Sequence, residues 1–350
     1  MNSKNYKNNN EILHILKDYR IHYKLSLIQY WAFFAKDKYR VFRIPKKTGG
    51  FREIYAPHEI LKNILRRFNR YFKSKYNCFY SSSGINYSPA HGFMRNRSVA
   101  TNAEKHKYKR YVLNIDLENF FPSISQARVW RMLQCRPFYL SARTANLLAS
   151  LLCYQESKNT IRDQIFDFFL RDKQNKQNNF LPQGAPTSPM ISNFICRKLD
   201  YKLGKLAENY EANYTRYADD ITFSFDDYKL NNNDKFFQKI KQIIEEENFK
   251  INYKKVRMQN YKIRQMVTGL VVNKKINVTR KFIKDLRALL FMIENYGLDS
   301  AKSYFAKLNQ GKDILKVVQG KLSYLKMVKG SNDSTYIKLF ERYSSIIGAI

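Results

Sequence analysis

The segment Tyr214-Thr-Arg-Tyr-Ala-Asp219-Asp220-Ile-Thr-Phe-Ser-Phe225 places two adjacent carboxylates between two runs of β-branched and aromatic residues. Such flanks predict a strand, a tight turn and a second strand. In the second run apolar residues alternate with Thr222 and Ser224, which is the period of a half-buried strand. The pattern therefore predicts a hairpin that carries Asp219 and Asp220 at its tip.

The paired carboxylates allow two interpretations. Adjacent carboxylates repel each other, so a partly buried pair needs a cation to be stable. Hard oxygen ligands of this kind select Mg²⁺ or Mn²⁺ and leave positions open for substrate phosphates. The alternative is an ordinary Asp-Asp turn that faces water. The rest of the chain decides between a metal site and a solvated turn.

Composition indicates a polyanionic partner. The chain has 350 residues, enough for two or three subdomains, and an ordinary apolar fraction of 44%. Its 63 Lys and Arg against 29 Asp and Glu give a net charge of +34, which favours nucleic acid. Aromatic residues make up 15% of the chain and offer faces on which bases can stack, although most of them are expected to fill cores.

The sequence gives no indication of membrane insertion, secretion or a cysteine-based site. No run of 18 apolar residues could span a bilayer, and the first ten residues lack the apolar core of a signal peptide. The four cysteines show no CxxC spacing, so neither a zinc site nor a disulfide framework is indicated. We therefore expect a cytoplasmic protein without a membrane partner.

Along the chain, the other patterns predict a mixture of helices and short strands. We expect helices over residues 11–40, 57–76, 125–153, 190–206 and 234–247 and from the N-cap Thr279 onward, and strands over 39–44, 51–55, 111–117, 251–255 and 267–272. Residues 155–179 are rich in Asn, Gln and Lys and are typical of an insertion.

Asp116 is the one carboxylate in the apolar run 111–117. A lone Asp near the end of a buried strand is either a structural cap or a metal ligand, and its apolar neighbours favour the ligand.

The turn Pro45-Lys-Lys-Thr-Gly-Gly50 carries two lysines and is followed by Arg52, a combination that suits a triphosphate. A basic hairpin tip that is merely solvated remains the alternative.

With these residues in view, the chain resembles a reverse transcriptase, and more narrowly a bacterial retron reverse transcriptase. The Tyr217-Ala-Asp-Asp220 box is similar to the catalytic signature of this family. Four further segments are similar to other family motifs, and all five occur in the order that the family has: Lys46 to Arg52, Asn114 to Ser123, Leu181 to Pro189 and, after the box, Phe249 to Lys255. The shared order and spacing make chance similarity an inadequate explanation.

The resemblance implies a role for each matching residue. Asp116, Asp219 and Asp220 are the catalytic carboxylates, and with Leu117 they form the site of two Mg²⁺ ions, with Mn²⁺ as a possible substitute. The nucleotide-binding residues are Lys46, Lys47, Arg52, Phe121 and Gln183. Phe121 falls where the family places the aromatic ring that excludes a ribose 2′-hydroxyl; core packing is the alternative for this ring, and loop stabilisation for Gln183.

Two short motifs indicate the retron type. Asn102-Ala-Glu-Lys-His106 resembles the NAxxH element of retron enzymes, and Val267-Thr268-Gly269 resembles the VTG triplet that engages their structured RNA. The resemblance thus implies that Asn102, His106 and residues 267–269 bind RNA. Burial of a strand around Val267 is the alternative.

The predicted fold is α+β, a right-hand polymerase with an antiparallel palm sheet and a helical thumb. We expect an N-terminal segment and fingers (1–110), a palm strand (111–121), fingers and palm helices (122–205, with the insertion at 155–179), palm (206–270) and thumb (271–350).

The function implied is RNA-directed synthesis of a branched RNA–DNA molecule, msDNA, in an antiphage system. The implied partners are a cognate structured noncoding RNA, its DNA product, host RNase H and a separate effector protein. One alternative is another bacterial reverse transcriptase, of the group II intron or abortive-infection type; no maturase or nuclease extension is expected after the thumb, which counts against an intron enzyme. The other is a silent RNA-binding scaffold, against which the three clustered carboxylates argue.

Overall fold

The structure, a computed structural model, describes residues 3–46, 49–82, 88–155, 179–227, 234–309 and 311–348. The chain forms two compact units, each discontinuous in sequence. The first contains Met1–Phe93, Asp116–Leu206 and Asp234–Lys254, and the second contains Met94–Ile115, Ala207–Asn233 and Lys255–Ile350.

The helices are α1 (Ser3–Asp18), α2 (Leu25–Gln29), α3 (Glu59–Ser82), α4 (Val99–Glu104), α5 (Gln126–Gln134), α6 (Ala142–Leu152), α7 (Ser188–Ile195), α8 (Arg197–Asn209), α9 (Asp234–Glu246), α10 (Arg280–Tyr296), α11 (Leu298–Leu308), α12 (Ile314–Lys329) and α13 (Ser334–Gly348). The strands are β1 (Tyr39–Pro45), β2 (Phe51–Pro57), β3 (Tyr111–Asp116), β4 (Tyr154–Gln155), β5 (Asn179–Phe180), β6 (Asn213–Tyr217), β7 (Asp220–Phe225), β8 (Arg257–Asn260), β9 (Met266–Val267) and β10 (Leu270–Val271). Helices combined with antiparallel pairs confirm the α+β class.

The first unit is mainly helical. Helix α3 shows why, because its apolar residues recur at helical spacing and form one buried face: Leu61, Ile64, Leu65, Phe68 and Phe72 are all fully buried. This confirms the predicted basic amphipathic helix, which extends to Ser82. The β1–β2 hairpin is also confirmed, with Ile44 opposite Arg52 across the pair.

Strands β4 and β5 pair antiparallel on either side of the predicted insertion, with Tyr154 opposite Phe180. Most of the insertion, residues 156–178, lies outside the described residues.

The second unit is built on a four-stranded sheet with the order β6-β7-β3-β8. Strands β6 and β7 form the predicted hairpin, in which Tyr217 faces Asp220. Ile221 and Phe223 on one face of β7 are fully buried, but Thr222 and Ser224 on the other face are buried as well, so the prediction of a half-buried strand is wrong.

Helices α10 to α13 form the C-terminal part of the second unit and confirm the predicted helical region. Thr279 is the N-cap of α10, and its hydroxyl accepts the Phe282 N–H. The buried side chains of α10 and α12 pack into one core with β9 and β10: Leu286, Leu290, Ile293, Val318, Leu322, Leu325, Val267 and Leu270.

Two predicted strands are wrong. Residues 251–255 do not form a strand: Ile251 makes an isolated bridge to Leu117, and a 3₁₀ turn follows at Tyr253–Lys255. Only Ile251 of this segment is buried, so the segment has no apolar face that a sheet could bury. Residues 267–272 do not form one strand, because Thr268 and Gly269 adopt positive φ and fold the segment back on itself as the β9–β10 hairpin. None of the helices in the described ranges is long and apolar enough to cross a membrane.

Candidate active site

The two-residue turn Ala218-Asp219 forms the tip of the β6–β7 hairpin, with Asp219 in the turn and Asp220 as the first residue of β7. Ala218 has φ of 58°, whereas Asp219 is not among the residues with positive φ. Positive φ at the first turn position alone is the pattern of a type II′ turn, where glycine is the preferred residue. A non-glycine residue in this strained backbone region costs on the order of 1–3 kcal/mol.

A buried arginine supports this turn. The Arg216 side chain is fully buried, and its Nη1 donates a hydrogen bond of 3.0 Å to the main-chain oxygen of Ala218. Ala218 is itself buried. Arg216 was not predicted as a site residue. The pattern that could have indicated it is a charged residue on the otherwise apolar face of a strand.

The opposite face of the hairpin carries a buried polar network. The His106 imidazole lies 2.7 Å from the hydroxyl of Thr215 on β6 and 2.7 Å from that of Ser224 on β7, so it bridges the two strands. On the neighbouring strand β3, the amide of Asn114 donates to the Thr222 hydroxyl over 3.1 Å. These bonds fix the register beneath the tip, because a buried hydroxyl without a partner is costly.

Asp116 ends strand β3, at the residue where the chain passes into the first unit. Its carboxylate accepts a bond of 3.4 Å from the Asn252 amide, and its main-chain oxygen accepts the Asn252 N–H at 2.8 Å. Leu117, predicted beside it in the metal site, is buried and bridges Ile251. Asn252 is a partner of Asp116 that the sequence analysis did not identify.

In the part of the chain that the structure describes, no group of three or more His, Cys, Asp or Glu side chains is arranged to hold a metal ion. The grouping of Asp116 with Asp219 and Asp220 therefore stays a prediction. Their chemistry fits hard divalent cations, since all the side-chain donors are carboxylate oxygens.

The predicted nucleotide residues of the first unit lie on two connected elements. Arg52 is an exposed residue of β2, and Lys46 is exposed at the turn, where its N–H donates to the Gly50 oxygen; Lys47 lies outside the described residues. The loop of Gln183 is attached to β2 because the Tyr55 N–H donates to the Gln183 oxygen over 2.8 Å.

Gly184 explains how closely this loop approaches β2. It has φ of 129°, and a Cβ at this position would lie 2.7 Å from the main-chain oxygen of Tyr55. Only glycine fits here. Phe121, the predicted sugar-selecting ring, is half-buried and packs edge-on against Phe120 at 5.2 Å.

The two retron-like motifs contact each other. The Asn102 amide donates to the Thr268 hydroxyl over 3.5 Å, a long bond between residues 166 positions apart. The Thr268 hydroxyl in turn donates to the Val99 oxygen at 3.2 Å. Thr268 has φ of 46° and Gly269 of 83°, so the β9–β10 turn is type I′.

The predicted RNA-binding residues differ in their exposure. Asn102, His106 and Val267 are fully buried, whereas Gly269 is exposed and Thr268 half-buried. Direct contact with RNA is therefore open to the turn, whereas Asn102 bonds to Thr268 from within the fold and His106 bonds to the β6–β7 strands. The contact itself stays a prediction.

Tyr324 on α12 lies near enough to Tyr217 of β6 for the two phenols to interact electrostatically within the second unit. Burial raises its pKa, and the nearby Tyr217 phenol raises it further. Its ring also packs 5.4 Å from that of Phe282. Nothing in the sequence distinguishes Tyr324 from the other tyrosines, so this proximity was not predicted.

Comparison with known proteins defines the class. The family model of reverse transcriptase (RNA-dependent DNA polymerase) matches residues 44–281. The retron Ec86 reverse transcriptase of Escherichia coli is 32% identical over 77% of this chain and 73% of its own length. The chain therefore belongs to the reverse transcriptase family, whose members use divalent metal ions, and it has the predicted polymerase fold.

Similar proteins then indicate the group within the reverse transcriptase family. The retron Mx65 reverse transcriptase of Myxococcus xanthus is 34% identical over 79% of this chain, and this chain spans 59% of that relative. The retron Mx162 reverse transcriptase is 33% identical, with 56% of its length spanned. These similarities confirm the resemblance to retron reverse transcriptases.

Among solved structures, the chain is similar to telomerase from Candida albicans, in complex with a fragment of telomeric RNA, at 12% identity and a TM-score of 0.46 over 88% of this chain and 63% of that chain. It is also similar to a foamy viral protease–reverse transcriptase at 16% identity and a TM-score of 0.39, over 88% of this chain and 43% of that chain.

Proposed function

We propose that the protein is an RNA-directed DNA polymerase that copies a cognate structured noncoding RNA into a branched RNA–DNA molecule, msDNA. The family match over residues 44–281, with the Tyr217-Ala-Asp-Asp220 box at the tip of a supported hairpin, is the observation that carries this proposal. The similarity to retron enzymes supports the choice of template.

In the proposed mechanism, Asp116, Asp219 and Asp220 would hold two Mg²⁺ ions, with Leu117 beside them. When bound, such ions activate the primer hydroxyl and neutralise charge on the leaving pyrophosphate. Asn252 would orient the Asp116 carboxylate through its amide. Hydrogen bonds to Asp116 and to the Ala218 oxygen support this proposal, because supported backbone would let the carboxylates bind with little rearrangement.

The first unit would hold the incoming nucleotide. Arg52 suits the triphosphate, because its planar fork matches phosphate oxygens, and Lys46 and Lys47 would add positive charge. Gln183 would contact the sugar, on a loop attached to the strand of Arg52.

Phe121 would exclude the ribose 2′-hydroxyl. We expect Phe121→Ala to raise the ratio of ribonucleotide to deoxynucleotide incorporation while deoxynucleotide use changes little. An unchanged ratio would mean that Phe121 only packs against Phe120.

We further propose that residues 267–269 contact the cognate RNA through the exposed turn, with Asn102 supporting that turn and His106 supporting the β6–β7 strands. Cationic surfaces would add phosphate contacts that weaken with salt, whereas shape and 2′-hydroxyl contacts would recognise the folded RNA. The fingers, palm and thumb would follow the predicted boundaries. Host RNase H, a separate effector protein and an antiphage role in the cytoplasm complete the proposal.

The proposal is tested by extension of a DNA primer on an RNA template with deoxynucleotides and Mg²⁺. Asp219→Asn should lower the rate at least about 100-fold, the scale for losing one electrostatic stabiliser. The matched control is Asp37→Asn, at an exposed aspartate of the first unit. Near-wild-type extension by the Asp219 variant would refute the site, and sequencing of the copurified nucleic acid would identify the RNA.

A further inference from the structure

We propose that Arg216 is a positioning residue that selects the turn conformation in which Asp219 and Asp220 are presented to the metal ions. This inference rests on the proposed function of the two carboxylates. It assigns to Arg216 a role that neither the motif nor the family match gives to it.

The central peptide of the turn, between Ala218 and Asp219, decides the turn type. Types I′ and II′ both begin with positive φ, and they differ by a flip of that peptide, which changes the sign of φ at the second residue. Here the second residue, Asp219, keeps negative φ. A flip would therefore reorient the backbone that carries the Asp219 carboxylate.

Arg216 acts on this peptide directly. Its guanidinium donates over 3.0 Å to the Ala218 oxygen, which is the carbonyl of the central peptide. A hydrogen bond from a charged donor is stronger than a neutral one, and the planar guanidinium has a fixed direction. The flipped peptide would point its oxygen away from this donor, so the bond favours type II′ over type I′.

The position of Arg216 in the strand makes the contact possible. Residues two apart in a strand project from the same face, so a side chain at 216 extends toward residue 218. Arg216 lies opposite Ile221 and is fully buried, which leaves it few alternative positions. A buried charge is expensive, and support of the turn gives a functional reason to retain it.

Alanine at position 218 explains why this support is needed. Glycine adopts positive φ freely, whereas the Cβ of Ala218 disfavours it. Without the Arg216 bond, the strained turn has access to other conformations. Because glycine needs no support to adopt positive φ, glycine at position 218 makes the turn less dependent on Arg216.

The test is a double-mutant cycle of Arg216→Met with Ala218→Gly, with Arg216→Lys as the conservative variant. The readouts are primer extension and, independently of activity, Mn²⁺ affinity measured by electron paramagnetic resonance. We expect Arg216→Met to lower kcat about tenfold or more and to weaken Mn²⁺ binding severalfold, on the scale of one strained backbone position. Arg216→Lys should retain more of both, and Ala218→Gly should restore at least half of the loss on the logarithmic scale.

Arg128 provides the matched control. It also donates to main-chain oxygens, at 2.9 Å to Glu247, but its contacts lie in the first unit. Ala218→Gly should not rescue Arg128→Met. Rescue of both variants would indicate general stabilisation and would overturn the proposal.

The remaining outcomes are also decisive. Thermal melting shows whether the Arg216 variant is folded. If it is folded and Ala218→Gly does not restore its Mn²⁺ affinity, the inference is overturned. If Arg216→Met does not fold, the cycle is read with Arg216→Lys. A wild-type protein that binds Mn²⁺ but extends no primer would contradict the proposed polymerase function, while the Mn²⁺ cycle would still test Arg216.

Discussion

The second unit contains two hairpins with two-residue turns, and each turn forces a non-glycine residue into positive φ. In the β6–β7 hairpin this residue is Ala218, and in the β9–β10 hairpin it is Thr268. The first turn is supported by Arg216, two residues before Ala218. The second is supported by Val99 and Asn102, the latter 166 positions away in the sequence.

The two hairpins also differ in what holds their strands. Strands β6 and β7 pair over five positions and belong to the four-stranded sheet, whereas β9 and β10 pair over two positions and depend on packing against the α10–α13 core. An isolated pair that short is not stable by itself. The β6–β7 tip is thus supported by a residue close to it in the sequence, whereas the β9–β10 turn, on short strands, requires contacts with distant parts of the chain.

The largest expected effect is on copying of the cognate RNA, and comparison with an unrelated template distinguishes the two hairpins. In the double variant Thr268→Phe with Gly269→Val, the valine adds a Cβ at a residue with φ of 83°, which opposes the turn by about 1–3 kcal/mol. The phenylalanine replaces the half-buried Thr268 by a bulky ring and removes the hydroxyl that bonds to Val99. We expect copying of the cognate RNA to fall at least about 100-fold. Extension of an unrelated annealed primer–template should stay within about threefold, since the β6–β7 hairpin is unchanged.

Both activities are measured side by side at physiological salt. Equal loss on the two templates would contradict a separate recognition turn and would indicate misfolding or a general role. Equal survival would remove the specific role of the β9–β10 turn.

The next effect concerns the support beneath the catalytic hairpin. His106→Leu leaves the buried hydroxyls of Thr215 and Ser224 without their imidazole partner. We expect a loss of about 1–3 kcal/mol in the free energy of unfolding. Because His106 contacts the strands of the catalytic hairpin, copying should fall on both templates alike.

Urea denaturation measures this change, and primer extension on both templates measures its selectivity. A loss confined to the cognate RNA would place the role of His106 in recognition and not in support of the strands.

A smaller effect is expected at the Thr268 hydroxyl. Thr268→Val removes the bond to the Val99 oxygen and keeps the side-chain shape, so affinity for the cognate RNA should fall about fivefold, the value of one hydrogen bond. Thr268→Ser keeps the hydroxyl and is the matched control. Filter binding with the cognate RNA makes the comparison, and equal affinities of the two variants would show that the hydroxyl plays no part.

The smallest effect lies at the base of the catalytic hairpin, where Asp226 accepts bonds from the Lys109 ammonium and the Arg110 N–H. Burial raises the Asp226 pKa, but these bonds outweigh it, so the pKa lies below its ordinary value. The carboxylate therefore stabilises the fold above its unfolded pKa, and this contribution disappears as pH falls through the folded pKa. Since Asp226 is half-exposed, Asp226→Asn should cost less than about 1 kcal/mol.

Thermal melting at neutral and acid pH checks this prediction. The wild type and the variant should differ at pH 7 and converge in acid. A difference that grows in acid would contradict the assignment of the lowered pKa to this contact.

The contrast between the hairpins also marks what the sequence could predict. The β6–β7 hairpin and the N-cap of α10 followed from local alternation and capping residues, because their partners lie nearby in the chain. The Val267-Thr-Gly-Leu270 segment has the apolar spacing of one continuous strand as well as that of a turn. The contact of Thr268 with Asn102 decides between them, and no local pattern encodes it.

The candidate site shows the same division. The three aspartates, Gln183 and the segment that contains Asn252 were recognisable from motif order, whereas the contacts of Arg216, Asn252 and Tyr324 were not. Each of these three acts through a neighbour that only the folded chain provides, and the burial of Asn102 and His106 likewise depends on tertiary packing.

The discontinuity of the second unit has a consequence for synthesis on the ribosome. Strand β3 lies between β7 and β8 in the sheet, and its Asn114 bonds to Thr222, which is 108 positions later in the chain. At about 5–20 residues per second, β3 waits roughly 5–20 s for that neighbour to emerge. During this interval a strand with apolar Val112, Leu113 and Ile115 has unpaired edges, which is the state that invites aggregation. The nascent chain therefore passes through a vulnerable interval that a protein with sequential strand order would avoid, and translation rate and chaperone supply should govern the yield of folded enzyme.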